Sequence, residues 1–365
     1  MLKQLFQLGN LALLFWVATI NPAAALELRV AIKDGARQVN VASSTQAVVR
    51  DGNGTVLGEV PEMDALAVQV KGGKIALDRW RSGQLWIEPT KGGYVWIGDR
   101  WYRGRTQLVP NQKGIIAVNY VDLEQYLYSV LGGEMNGDWP QEALKAQAVA
   151  ARSYALYKRE TAGNRVYDLG SSTTWQVYRG LETESEGTQL AVDATANQVL
   201  TYNGKIILAV FHSSSGGHTE NVEDIWTDAL PYLRGVPDYD RGTPEYQWTK
   251  SFSGSELSRL LGVGNITSLE LERTTTYGRV ITVQVASDRG MHRLSGSKIA
   301  QALGLKSTRF TVNPTSTGFQ ITGYGFGHGV GLSQWGAYNL AQMGINYQQI
   351  LSHYYQGTQL VKFTD

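Results

Sequence analysis

The sequence of 365 residues contains no cysteine. That removes thiol catalysis, disulfide staples and every cysteine-based metal site, and leaves the fold to be held by its core alone. Excess charge of one sign is also missing. Lys and Arg number 33 against 32 Asp and Glu, a formal net charge of +1, which argues against a general nucleic-acid binder. There is no internal repeat and no low-complexity tract. After Ala25 no apolar run approaches the roughly 20 residues needed to span a bilayer. The opening carries Lys3, the apolar stretch Leu11 to Ile20 and the small residues Ala23, Ala24 and Ala25. This is the pattern of a cleaved export signal, with an uncleaved anchor as the alternative. The mature chain is expected to begin near Leu26.

What is present divides into two parts. From Glu27 to about Lys113 the pattern is one of short β segments without a helix. Asp51-Gly52-Asn53-Gly54 and Gly98-Asp99 are hairpin turns between alternating stretches. Between Lys71 and Arg105 stand eight Lys or Arg, three acids and the tryptophans Trp80, Trp86, Trp96 and Trp101. Rings among basic side chains suit sugars or anionic polymers; they equally suit the core of a small β unit. From Gly114 the pattern is mixed. A strand at Ile115 to Val118 leads into a helix from Asp122 to Leu131, where Leu123, Leu127 and Val130 fall at helical spacing. The hairpin across Asn203-Gly204 delivers His212 at a strand end. A β/α insert covers 252–312, and two helices from Ser333 close the chain. The expected fold class is α+β, with an all-β hairpin unit at 26–113 followed by a mixed α+β region at 114–365.

The stretch from Val130 to Tyr157, VLGGEMNGDWPQEALKAQAVAARSYALY, organises the rest. Proline at 140 fits a helix start, because the N–H it lacks would be unbonded there. Alanine, the best helix former, recurs at 143, 146, 148, 150, 151 and 155, so other backbone can pack close. Glu134 is expected in a glycine-lined loop between two helices, with Gly132 and Gly133 giving a ligand room. The bland alternative is a solvated loop carboxylate.

These residues carry a resemblance. GGEMNGDWPQEALKAQAVAARSYAL looks like the signature of the SpoIID/LytB family of cell-wall proteins. FHSSSGGHTENVEDIW from Phe211, GYGFGHGVGLSQWGAYNLAQMGINYQQILSHYYQGT from Gly323 and Gln176 to Gly180 support it, in the family's order. The resemblance implies lytic cleavage of peptidoglycan glycan strands, with Glu134 matching the family's catalytic acid. It also implies an alternative, since some members instead enhance a partner amidase. Export to the periplasm or cell wall is then expected, and the basic, Trp-rich β unit is expected to aid wall binding while being dispensable for chemistry. The substrate-binding candidates are Gln147, Arg152, Gln176, Tyr178, His212, Ser214, Tyr324, His328, Ser333 and Gln334.

One acid is enough for such chemistry. It protonates the leaving oxygen, then takes a proton from the muramoyl 6-hydroxyl, which attacks the anomeric carbon and leaves a 1,6-anhydro end. Glu142 is a poor second acid, because its charge complements the first turn of a helix. Protonated Glu134 requires a raised pKa, most simply from desolvation, with Met135 and Trp139 as apolar walls. No cofactor is required. His212 and His218, six residues apart, with Asp224 six further on, form a set that zinc accepts. The resemblance implies zinc in this region for some members, but their ligands include cysteines, which this chain lacks. The alternating glycines of Gly323 to Gly331 lack the Gly-Lys-Ser/Thr of a phosphate loop. They are expected to let a sugar chain approach the backbone, the alternative being a tightly packed turn. Ser214 near His212 and Asp224 lacks the nucleophile setting of a serine hydrolase.

Overall fold

The structure, a computed structural model, describes residues 26–226 and 228–363; the expected export signal lies outside them. The short alternating segments form strands β1 (Glu27–Ala36), β2 (Gln38–Ser43), β3 (Ala47–Asp51), β4 (Val56–Val60), β5 (Leu66–Lys71), β6 (Lys74–Leu77), β7 (Trp80–Ser82), β8 (Leu85–Pro89), β9 (Val95–Ile97), β10 (Arg100–Tyr102), β11 (Arg105–Asn111) and β12 (Gly114–Asp122). One sheet runs β1-β12-β11-β8-β3-β4, and the short strand Leu169–Gly170 joins it parallel to β1. The other runs β10-β9-β2-β5-β6-β7. The two sheets share one hydrophobic core, with Val30, Val41, Val68, Leu77, Ile87 and Ile97 buried in it.

Strand β12 leads straight into helix α1 (Leu123–Glu134). Asp122 ends the strand, and its carboxylate accepts the Gln125 N–H at 3.0 Å, satisfying one of the helix's orphan donors. Helix α2 (Gln141–Thr161) follows, with Pro140 as its N-cap, one position earlier than expected. All six alanines singled out above are fully buried in it. Close packing follows from their size: helices α1, α3 (Glu186–Ala194), α7 (Gln334–Gln342) and α8 (Tyr347–Tyr354) all rest on α2, and a one-turn helix α4 (Val222–Ile225) follows α3 in sequence. The same core therefore continues from Leu28 in the first sheet to Tyr355 at the chain's end.

That continuity revises the expected division at 113. Strand β12 pairs with β1 from Glu27↔Asp122 to Ala36↔Ile115 and with β11 on its other side. Arg29 on β1 holds Asp168 through its backbone N–H and through its guanidinium, at 2.5 Å from the carboxylate. The N-terminal strands are thus built into the region that carries Glu134.

A second, separate core belongs to the insert. Trp248, Leu257, Val283, Leu294, Ile299, Phe310 and Ile321 are among its buried members. Its strand Gln247–Ser253 pairs with Gly318–Tyr324, so its elements reach wider than 252–312. Its helices α5 (Gly254–Leu261) and α6 (Gly296–Leu303) are capped by Ser253 and Ser295 and end at Gly262 and Gly304 in the left-handed conformation, the usual stop for a helix. Among the described residues no helix is long and apolar enough to cross a membrane.

Candidate functional site

Glu134 is the last residue of α1, not a loop residue. The two glycines before it are helical, and their role differs from the one expected. A Cβ on Gly132 would lie 1.8 Å from the Thr183 carbonyl oxygen, and one on Gly133 would lie 2.7 Å from that of Val177. The glycines admit the chain's own loop rather than a ligand. That loop then supplies the Val177 backbone N–H, which donates to Glu134 Oε1 at 2.8 Å. Gln334 Nε2, from the start of α7, approaches Oε2 at 3.4 Å. Burial pushes the Glu134 carboxyl above its ordinary range, and these two hydrogen bonds to the charged form pull back only part of that rise.

The second and third sequence blocks meet at a short parallel bridge, in which Phe211 pairs with Leu332 and His212 with Ser333. The expected hairpin does not itself carry His212: its second strand stops at Ile206, and a separate pair of residues delivers the ring. His212 Nδ1 lies 3.2 Å from the Val330 carbonyl oxygen. A carbonyl only accepts, so Nδ1 carries the proton, and Nε2 is a buried acceptor without a partner. His328 Nδ1 accepts the Val330 N–H at 3.1 Å, and the two imidazoles stand 5.3 Å apart. Desolvation holds both neutral. His212 falls well below the usual histidine range, helped by His328 and Arg279, and His328 is lowered to about 4.

Glu134, His212, His328 and Gln334 line one cleft of about 820 Å³, with Tyr154, Lys158, Trp175, Arg179, Trp226 and Phe326. Three separated blocks therefore converge on one place. Trp226 is 42% and Phe326 45% exposed, rings presented to solvent at the rim. Trp226 also packs beside His328, at 5.1 Å between ring centroids. Sequence reasoning passed over Lys158, Arg179, Trp175, Trp226 and Phe326. Lys158 is one turn beyond Tyr154 on α2, and Trp175 and Trp226 lie within or beside the quoted blocks, so proximity in sequence was the available signal.

Seven other substrate-binding candidates stand outside the cleft lining. Arg152 is fully buried and pairs with Glu124. Gln176 bonds to Tyr126 Oη and the Ala151 carbonyl, and Tyr178 donates to Asn119. Ser214 donates to Asp240 Oδ2 at 2.5 Å, so no histidine activates it. Ser333 caps α7 by accepting the Gly336 N–H at 3.2 Å. Tyr324 packs against Tyr246. Gln147 is fully buried with neither amide atom partnered. Apart from Gln147 and Tyr324, their polar groups are engaged by the fold itself. Glu142 is also structural, accepting from Lys145 and from the Tyr347 N–H at 2.8 Å. Burial would raise its pKa, but those bonds leave it lowered.

The alternating glycines follow the tight-packing alternative. Gly325, Gly327, Gly329 and Gly331 all have positive φ, where side chains are strained. A Cβ on them would meet, in turn, the Ser214 carbonyl, His212, Arg279 and the Val210 carbonyl within 3 Å. At these four positions the space a side chain would take is filled by neighbouring chain, while Phe326, Gly327 and His328 still border the cleft. Arg279 comes from the insert, is 1% exposed, and donates through Nη1 to the Gly327 carbonyl at 2.9 Å. The insert thus props the loop that bears His328, which its sequence gave no reason to expect.

The residues expected to hold zinc do not fit it. His218 stacks on Tyr277 at 3.8 Å and directs Nδ1 to the Thr219 carbonyl, while Asp224 accepts from Asn221. Among the described residues no group of three or more His, Asp or Glu stands so as to hold a metal ion.

The chain is similar to known proteins along most of its length. The family model described as stage II sporulation protein matches residues 111–202, and one for a domain of unknown function matches 233–331, the stretch containing the insert. Stage II sporulation protein D of Bacillus subtilis is 35% identical over 264 residues, 67% of this chain and 76% of that protein. Its counterpart from Bacillus amyloliquefaciens is 36% identical over 67% of this chain and 75% of its own length. The amidase enhancer of Bacillus subtilis is 32% identical over 65% of this chain but only 40% of that protein. With its first block carrying Glu134, its later blocks closing the same cleft, and relatives matched over three quarters of their length, the chain belongs to the SpoIID/LytB family.

Proposed function

We propose that the protein acts in the cell wall as an exported lytic transglycosylase, cutting the glycan strands of peptidoglycan and leaving 1,6-anhydromuramoyl ends. The observation that carries this reading is the desolvated Glu134 carboxyl at the floor of an open, aromatic-rimmed cleft. Burial favours its protonated form, as a general acid needs. Once the glycosidic oxygen has been protonated, the carboxylate is stabilised by the Val177 N–H and the Gln334 amide. It then takes the proton of the muramoyl 6-hydroxyl as that oxygen attacks the anomeric carbon. His212 lines the same cleft, its unpartnered Nε2 lying buried behind the surface. Trp226, Phe326 and Trp175 offer faces on which sugar C–H groups stack. No second carboxylate lines the cleft among the described residues, which suits one acid serving both steps better than a two-acid hydrolysis.

The likeness to an amidase enhancer favours a second reading, in which the protein binds glycan and stimulates a partner amidase. The two part on one experiment. The purified mature chain is incubated alone with glycan strands and the products are weighed by mass spectrometry. Fragments ending in 1,6-anhydromuramic acid support cleavage. Intact strands, together with faster peptide release when an amidase is added, support the enhancer reading.

A further inference from the structure

We infer that Lys158 and Arg179 form a carboxylate-reading pair in the cleft and set its preference for glycan that carries an acidic substituent. The inference rests on the glycan reading of the site and deepens it. Both side chains line the cleft with Glu134. Neither has a side-chain hydrogen bond or ion pair among the described residues, where most arginines of the surrounding strands are engaged. Two acids lie close to Arg179 in the same loop, but Glu182 is taken by Arg100 and Glu184 by Arg103. Arg179 is left facing open space. Its own surroundings extend the groove: it also lines a second pocket, of about 340 Å³, which shares Thr173 and Val177 with the first.

Lys158 reaches the cleft from the last turns of α2. Its ammonium lies 5.4 Å from the centre of the Tyr154 ring and 5.8 Å from that of Trp175. Partial burial there lowers its pKa. Holding a desolvated cation without a counter-ion costs stability, and a neutral sugar chain gives no return on that cost. The one carboxyl lining the cleft among the described residues, Glu134, is the group that burial favours in the neutral form. A bound carboxylate would complete both cations by charge-assisted hydrogen bonds. In a peptidoglycan strand two groups offer that chemistry: the lactyl carboxylate of a stem-free muramoyl residue, and the carboxylates of a peptide stem.

The test measures binding in a Glu134→Gln background, so that no strand is cut. Three probes of matched length are used: stem-free glycan, stem-bearing glycan, and a chitooligosaccharide, which has the same backbone without the lactyl group. The expected result is tenfold or greater preference for a carboxylate-bearing probe over the chitooligosaccharide, weakening with salt, on the order expected for hydrogen bonds to charged groups. Lys158→Met with Arg179→Met should bring the ratio near one while chitooligosaccharide affinity is kept, which also shows the fold intact. Lys158→Arg and Arg179→Lys should keep the preference. Tighter binding of stem-free glycan alone identifies the lactyl carboxylate, and equal gain for both acidic probes identifies any carboxylate within reach; either supports the pair. Equal binding of all three probes by the unsubstituted pair, or a preference that survives the double substitution, overturns this inference and leaves the glycan reading standing. Binding of none of the probes overturns both.

Discussion

The Arg279 guanidinium donates to the Gly327 carbonyl oxygen at 2.9 Å, one residue before His328. Its Nε stands 3.8 Å from Glu220, which is itself fully buried. Desolvation lowers the Arg279 pKa to about 10, so it stays charged at neutral pH. An insert with its own core is thereby tied to the cleft by a buried ion pair. Removing one member of such a pair leaves an uncompensated charge and costs about 3–5 kcal/mol. Arg279→Met should lower the urea midpoint accordingly and loosen the histidine-bearing loop. An unchanged midpoint would show that the insert is a passive neighbour.

The two cleft histidines set a pH dependence whose sign follows from burial. His328 has a folded pKa of about 4, below its ordinary 6.5. Between those values the unfolded chain binds more protons than the folded one, so stability rises with pH. Acidification from pH 6.5 toward 4 should therefore destabilise the protein, by up to about 3 kcal/mol from this ring once the pH is below both values. His328→Asn keeps an acceptor for the Val330 N–H and removes the titration. Its melting temperature should fall less steeply over that pH range than the parent's, whatever its value at pH 7. Parallel pH profiles for the two proteins would contradict the assignment.

The N-terminal strands should not be removable. A chain beginning at Gly114 would expose both edges of β12, leave Asp168 without Arg29, and remove Leu28, Val30 and the other strand residues from the shared core. Circular dichroism and gel filtration of that chain should show an unfolded or aggregated species. A soluble, cooperatively melting product would mean that the sequence-based division at 113 is the better description.

Much of this was legible in the sequence for local reasons. The hairpins at 51–54 and 98–99 form, and the alanine-rich stretch after Pro140 folds as one long helix. Each depends on neighbours within a few residues. What escaped depends on partners far along the chain. Gly132 looks like a loop residue until Thr183 is known to sit against it. Arg152 and Gln176 look like ligand-binding polar groups until Glu124 and Tyr126 are seen to satisfy them. The glycines from 325 to 331 face chain from residues 210 to 215 and 279, contacts that no local pattern encodes. Glu134, His212, His328 and Gln334 were legible because they lie inside long blocks; the partners that hold them were not.

Glu134→Gln is the measurement closest to the chemistry. The amide keeps an oxygen for the Val177 N–H and can meet a turned Gln334 amide, so the fold should be nearly unaffected, yet it cannot give up a proton to a leaving oxygen. Parent, Glu134→Gln and the distant control Glu142→Gln are incubated with stem-free glycan, and 1,6-anhydro ends are counted over time. Because the raised Glu134 must be protonated to start the reaction, the parent's rate should fall as pH rises through its folded pKa. The expected loss for Glu134→Gln is at or above the top of the roughly 10²–10⁴-fold range of general acid–base catalysis, with Glu142→Gln close to the parent. Anhydro ends formed by Glu134→Gln at near the parent's rate would contradict Glu134 as the acid and base.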